Sequence, residues 1–159
     1  MLARAIMTSH VVSIPPTTPV HEVAKLLSEY RISGMPVVDD EGRMVGLVTE
    51  ADLISKQGAT AADIMSTRVV TVNESTPVDE IAQILTSNRF KRVPVVRDDK
   101  LVGIVSRADI VRMMASRWIC SVCGAIQHGQ MPAACPTCGA DGSHFERELD
   151  PRPEVTQHQ

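Results

Sequence analysis

The chain has 159 residues, room for one domain of ordinary size plus something small, and it is 43% hydrophobic with only 3% aromatic side chains, so its core is aliphatic. The formal net charge of −3 comes without a basic run, which excludes the footprint of a nucleic-acid binder, and no window is long and apolar enough to cross a bilayer. The start, Met1 to His10, lacks the apolar run of a signal peptide, so a soluble cytoplasmic protein is expected.

Val11 to Ile14 is short, rich in β-branched residues and closed by Pro15, which predicts a strand. Thr18-Pro19-Val20-His21-Glu22 then offers a hydroxyl at a helix N-cap, proline at the first helical position and an acid in the first turn. Val23, Leu26, Leu27 and Tyr30 recur at three and four, giving that helix one apolar face. Two apolar runs follow, Met35 to Val38 and Met44 to Val48, and the Asp-Asp-Glu-Gly between them predicts a hairpin. Thr49 stands where the second run gives way to a helix, with Asp52 three residues on.

The same series then returns. Met7 and Met65, Pro19 and Pro77, Glu22 and Glu80, and Pro36 and Pro94 are all 58 positions apart. Gly46 and Gly103, like Asp52 and Asp109, are 57 apart, so one residue is lost in the hairpin turn, where length is cheap to vary. Copy two supplies Val69 to Val72 as its first strand, Thr76-Pro77-Val78 as its helix start, Ile81, Ile84 and Leu85 as its apolar face, Val93 to Val96 and Leu101 to Val105 as its hairpin, and Ser106 with Asp109 at its last helix. Each copy reads β-α-β-β-α. At roughly 55 residues neither buries both faces of its sheet alone, so the two pack together as one pseudo-twofold α/β module.

The Thr/Ser-x-x-Asp at the end of each hairpin has two readings. A hydroxyl at a helix start with a carboxylate one turn later can hold a phosphate and a ribose diol, and it is equally an ordinary capping arrangement. Neither copy holds a nucleophile with a histidine and acid partner, and His10 and His21 fall on a loop and a helix surface, so no catalytic residue is assigned and the chain is not expected to be an enzyme.

Ile6-Met7-Thr8, Thr18-Pro19-Val20, Gly34-Met35-Pro36-Val37-Val38 and Gly46-Leu47-Val48-Thr49 through Asp52 resemble one CBS motif, and Ile64-Met65-Ser66 through Asp109 resembles a second. The resemblance covers residues 1 to about 116, divided as 1–58 and 59–116. It implies a regulatory module that binds AMP, ATP or a related adenosyl ligand in clefts between the motifs, docks as a homodimer and acts on a regulated protein that the sequence does not name. It also implies cross-motif sites. Thr49 and Asp52 are then expected to face Lys91 and Arg92, while Ser106 and Asp109 face Ile32, Ser33 and Gly34, with Val12 and Val70 near the base pockets. Two cations at the first site suggest that it takes the more phosphorylated ligand.

After Met114 the composition changes, and all four cysteines of the chain, Cys120, Cys123, Cys135 and Cys138, fall in two Cys-x-x-Cys pairs. This spacing is that of a tetrahedral thiolate metal site, and Gly124 and Gly139 directly after each pair suit turns that need positive φ. Disulfides do not fit a cytosolic chain, and a thioredoxin-like motif would be a single pair within a βαβ unit. Four thiolates hold zinc or a single iron alike. His128 and His144 are expected on the surface, since four cysteines complete the shell.

Trp118 before Cys120, Cys135-Pro136-Thr137-Cys138-Gly139-Ala140 and Phe145 resemble the rubredoxin-like domain at the end of rubrerythrins, here residues 117–149. That resemblance implies iron and electron transfer, with Trp118 and Phe145 forming the small core; structural zinc is the other reading. A nucleic-acid ribbon is opposed by charge, because residues 118–159 carry two basic and five acidic side chains. Residues 150–159, proline-rich and polar, read as a disordered tail.

Overall fold

The computed structural model describes residues 1–87 and 90–148; the tail reading for 150–159 lies outside them. The chain divides into two compact units, Leu2–Asp109 and the residues from Ile110 onward. Among the described residues no helix is long and apolar enough to cross a membrane.

In the first unit, β1 (Gly34–Val38) and β2 (Met44–Thr49) pair antiparallel, and β4 (Arg92–Arg97) and β5 (Lys100–Ser106) repeat that hairpin. The single-residue difference between the copies is a difference of turn. Arg97 pairs with Lys100 across Asp98 and Asp99, both at positive φ (50° and 63°), the conformation of a tight two-residue hairpin turn. Copy one spends five residues between Val38 and Met44 and places Gly42 at φ 79°. Helices α2 (Val20–Tyr30) and α5 (Val78–Ser87) bury Val23 and Leu27, and Val78, Ile81 and Leu85. Tyr30, expected on the apolar face, is instead 58% exposed at the helix end.

The predicted first strands are shorter than the β-branched runs suggest. Only Ile14 pairs, in parallel with Val37, and copy two forms just β3 (Val72–Asn73) beside Val95 and Val96. Pro15 and Pro16 follow Ile14 and have no N–H to extend the ladder. The helix starts also differ from expectation. Pro19 is the N-cap residue of α2, and Thr18 Oγ1 donates to the Pro15 carbonyl instead of capping. Thr76 Oγ1 accepts from the Asn73 N–H.

The copies exchange their leading segments, which periodicity alone did not reveal. The short helix α4 (Ala61–Ile64) opens copy two, yet Ala61 and Ile64 are buried in the core of copy one with Ile14, Val23, Leu27, Met35, Val37 and Val48. Its twin α1 (Ala3–Ile6) donates the Ala3 N–H to Thr76 of copy two, matching the Ala61 N–H on Thr18. Ser66 bridges to Leu47, and Thr8 to Ile104. Beside these bridges a Cβ added at Gly46 would lie 2.6 Å from Met65 Sδ, and one at Gly103 2.5 Å from Met7 Sδ. Only glycine admits the crossing methionine. Ile64 is fully buried, and burial of such a side chain contributes about 1.5–3 kcal/mol, so copy one does not keep its core without the segment that copy two supplies.

Helices α3 (Glu50–Ser55) and α6 (Arg107–Met114) close the two copies in sequence. In the second unit β6 (Arg117–Cys120) is central, flanked antiparallel by β7 (Ile126–His128) and β8 (Phe145–Glu148). As the sequence suggests, Phe145 is buried and Trp118 half-buried; they surround Cys120 and Cys135, and the Trp118 indole N–H donates to the Gly129 carbonyl at 2.8 Å.

Candidate functional site

Two places carry chemistry, a cleft in the first unit and a thiol cluster in the second. The cleft forms where β2 ends and α3 begins. Its volume is about 440 Å³, and Leu47, Ile54 and Phe90 give it apolar walls beside Ser33, Thr49, Glu50, Lys91 and Arg92. It therefore brings together Thr49 of copy one with Lys91 and Arg92 of copy two, as the resemblance implied.

Thr49 caps α3 in both directions. Its backbone N–H and Oγ1 donate to Asp52 Oδ2 at 2.9 and 3.0 Å, and the Asp52 N–H returns a bond to Oγ1 at 3.3 Å. Ser106 and Asp109 repeat this at 2.7, 3.0 and 3.4 Å. Both carboxylates are buried, 7% exposed, and the capping role is realised in each copy. Asp52 is not among the residues lining the cleft, and its second oxygen meets Lys56 Nζ at 2.8 Å.

The cross-motif contact is made by Arg92, whose guanidinium donates to the Gly34 carbonyl at 3.2 Å and to Ser33 Oγ. Burial pushes the Arg92 pKa down from its ordinary value, opposed by the negative Glu50, and a guanidinium stays charged regardless. Ser33 and Gly34, expected opposite Ser106 and Asp109, are thus held by Arg92, and Ser33 lines the first cleft. Within each copy the backbone repeats once more: the Glu50 N–H donates to Ser33 and the Arg107 N–H to Lys91. Val12 and Ile32 pack against the core of copy one, and Val70 is 40% exposed; none of the three lines this cleft. Sequence reasoning passed over Glu50, Ile54, Phe90 and Lys56. For Lys56 the signal was its place four residues after Asp52, the spacing of a helical ion pair.

In the second unit the Sγ atoms of Cys120, Cys123, Cys135 and Cys138 all lie within 4.8 Å of one another, with Cys120–Cys138 at 3.8 Å and Cys123–Cys135 at 3.7 Å. Four thiolates about 2.3 Å from a common ion at tetrahedral angles stand about 3.8 Å apart, so the donor set fits one ion. Gly124 and Gly139 adopt φ 75° and 78°, and each donates its N–H to the backbone carbonyl of the first cysteine of its pair, which turns the following amides toward the thiols. Those turns aim backbone N–H groups at sulfur. The Cys138 N–H, assisted by that of Thr137, holds the Cys135 thiol down to about 6 against desolvation. Cys123 receives the Ala125 N–H, which lowers its pKa, but desolvation and the neighbouring thiols outweigh this and push it up to about 12. Four clustered thiols do not all ionise unaided, and a bound cation would supply the missing charge. Cys120 and Cys135 are buried while Cys123 and Cys138 are exposed. His128 and His144 are exposed and outside the cluster.

Comparison with known proteins agrees with both halves. The CBS domain family matches residues 3–58 and 61–116, and the family described as rubrerythrin, rubredoxin-like domain matches residues 118–146. An inosine-5′-monophosphate dehydrogenase of Methanocaldococcus jannaschii is 32% identical over 113 residues, which is 69% of this chain and 23% of that enzyme, so this chain spans about a quarter of the relative's length. The crystal structure of CBSX2, an Arabidopsis thaliana protein, in complex with AMP has a TM-score of 0.68 at 31% identity, covering 70% of this chain and 93% of that one. The CBS domain pair of protein MJ0100, in complex with 5′-methylthioadenosine and S-adenosyl-L-methionine, has a TM-score of 0.65 at 32% identity, covering 70% of this chain and 94% of that one. The chain belongs to the CBS-domain family, as a tandem pair of CBS motifs followed by a rubredoxin-like domain with four clustered cysteines.

Proposed function

We propose that the chain is a non-catalytic regulatory sensor in which the CBS pair binds an adenosyl ligand and the four cysteines hold a single metal ion. The observation that carries this reading is the 440 Å³ cleft, a volume suited to a small ligand, with Thr49, Lys91 and Arg92 at one side for a phosphate and Leu47, Ile54 and Phe90 for an apolar ring. Support comes from the related CBS pairs that bind AMP and S-adenosyl-L-methionine. Ser106 and Asp109 form the second, pseudo-symmetric site. Glu50 lines the first cleft and offsets one of its two cations, so a monophosphate suits it better than the more phosphorylated ligand that Lys91 and Arg92 suggested. Dimerisation through α3 would cover Ile54, which is 86% exposed, and light scattering at micromolar concentration measures it.

Calorimetry against AMP, ADP, ATP, NADH and S-adenosylmethionine tests the ligand class. Asp52→Ala and Asp109→Ala are each expected to weaken one site, since a lost charge-assisted hydrogen bond costs about 1.5–3 kcal/mol, roughly ten- to a hundredfold. No change for any ligand would remove the site assignment.

The exposure of Cys123 and Cys138, together with the match to a rubrerythrin domain, favours a second reading, an iron centre that exchanges electrons under control of the CBS pair. Purified protein that is red and bleaches on dithionite supports it. Colourless protein with stoichiometric zinc supports a structural metal.

A further inference from the structure

Lys56 is one of the residues around the first site that its repeat does not share. The helix starts run Glu50-Ala51-Asp52-Leu53-Ile54-Ser55-Lys56 and Arg107-Ala108-Asp109-Ile110-Val111-Arg112-Met113, so the cation has a thioether as its counterpart. Its ammonium bridges Asp52 Oδ1 at 2.8 Å and the Ile64 carbonyl at 3.1 Å. The Asp52 side chain is 9% exposed and that of Lys56 42%, so the ion pair is shielded on one side only.

The consequence follows from counting lone pairs. An ionised carboxylate offers about four acceptor positions. On Asp52 the Thr49 N–H and Oγ1 occupy Oδ2, and Lys56 takes one position on Oδ1. A ribose diol donates two hydrogen bonds, more than the remaining position accepts. Ligand entry at Asp52 therefore has to exchange the ammonium for hydroxyls. Ile64 is the last residue of α4, whose terminal carbonyls lack helical partners, so its carbonyl remains for Lys56 after the exchange.

We infer that Lys56 is a positioning residue that closes Asp52 to the ribose, so that its ammonium weakens the first site for ligands with an intact 2′,3′-diol. This rests on the adenosyl-ligand reading of the cleft. The exchange moves a proton donor from one oxygen to another and breaks no covalent bond. It makes the diol, not the phosphate, the feature whose binding Lys56 opposes.

The test uses the full chain and two probes, AMP and its 2′,3′-dideoxy analogue, titrated into the wild type, Lys56→Met, Lys56→Gln and the double variant Lys56→Met with Asp52→Ala. Lys56→Met copies the second motif, and Lys56→Gln keeps a donor for Ile64, so one variant remains informative if the other melts early. Either is expected to tighten AMP about three- to fivefold, the scale of a half-exposed ion pair, and to leave the dideoxy analogue unchanged. Adding Asp52→Ala abolishes the gain. An unchanged AMP affinity, or equal gains for both probes, overturns the inference while leaving the adenosyl reading intact. No binding of either probe by any protein overturns that reading and the inference with it.

Discussion

The two CBS motifs agree to within about 0.2 Å in the hydrogen bonds that cap their last helices, and they disagree in the charges placed around those caps. Both keep the serine or threonine with its aspartate, the glycine under a crossing methionine, and a register shift at the same point of the first hairpin strand. Against this common frame Ser33 and Gly34 are matched by Lys91 and Arg92, Glu50 by Arg107, and Lys56 by Met113. The shared positions satisfy backbone groups or fill the core, and a change in any of them costs folding. The divergent positions are where side chains meet the cleft or its aspartate. The duplicated module varies charge at these positions while the backbone of its helix caps stays the same.

The sharpest way to break that likeness is at the exchanged methionines. Gly46→Ala puts a methyl 2.6 Å from Met65 Sδ and 3.0 Å from the Ser66 carbonyl, and Gly103→Ala puts one 2.5 Å from Met7 Sδ and 3.2 Å from Met7 Cβ. Overpacking of this kind costs about 1–3 kcal/mol, partly offset by about 0.4–1 kcal/mol from the stiffer unfolded chain. Each substitution alone should lower stability by roughly 1–2 kcal/mol in denaturant titrations, and by similar amounts, if the exchange is equally tight in both directions. A cost confined to one glycine would show that one copy carries most of the crossing.

Much of this was legible in the sequence. The 58-residue spacing, the hairpins, the helix-closing caps and the four-cysteine cluster all follow from residue types whose local physics is strong: β-branched runs, turn residues, capping side chains and thiolate spacing. What the sequence hid is non-local. Ala61 and Ile64 belong to copy two by repeat number and to the core of copy one by packing, and nothing in their periodicity says so. The tie from Arg92 to Ser33 and Gly34 joins residues one repeat apart, a distance at which pattern gives no contact. The first strands were over-read because β-branched residues report a tendency, while Pro15 and Pro16 withhold the donors that a longer ladder needs.

A smaller effect is expected at the caps, and it sharpens the comparison. Thr49→Val and Ser106→Ala each remove the hydroxyl that donates at 3.0 Å to the aspartate, and loss of such a cap costs about 1 kcal/mol. Asp52 keeps Lys56 as a partner after Thr49→Val. Equal costs in thermal melts would mean that the cap is worth the same in both settings. A lower cost for Thr49→Val would mean that Lys56 already holds the aspartate in place.

The smallest expected effect concerns acid, and it arises because copy two places carboxylates where copy one has none that titrate. Asp63 caps α4, and the Thr60 N–H, then that of Ala59, holds its pKa below the ordinary 3.8. Glu74 accepts two hydrogen bonds from Arg97, at 2.7 and 2.5 Å, and these hold its pKa below 4.5. The counterparts one repeat earlier are Ala5 and Pro16. A carboxylate whose pKa is lower folded than unfolded stabilises the fold above its unfolded pKa and loses that contribution as pH falls through the folded value. Asp63→Asn and Glu74→Gln should therefore be less stable than the wild type at pH 7, with the gap closing below the ordinary values of 3.8 and 4.5. Asp63 is exposed and Glu74 pairs with the exposed Arg97, so the gap is small, and added salt should shrink it further for Glu74. Melting the wild type and each variant in parallel from pH 7 to pH 3 cancels the protonation of the cysteines, which is common to all, and leaves the difference that belongs to the carboxylate. A gap that widened as the pH fell would reverse the sign of the linkage and show that these acids stabilise the fold in their protonated form.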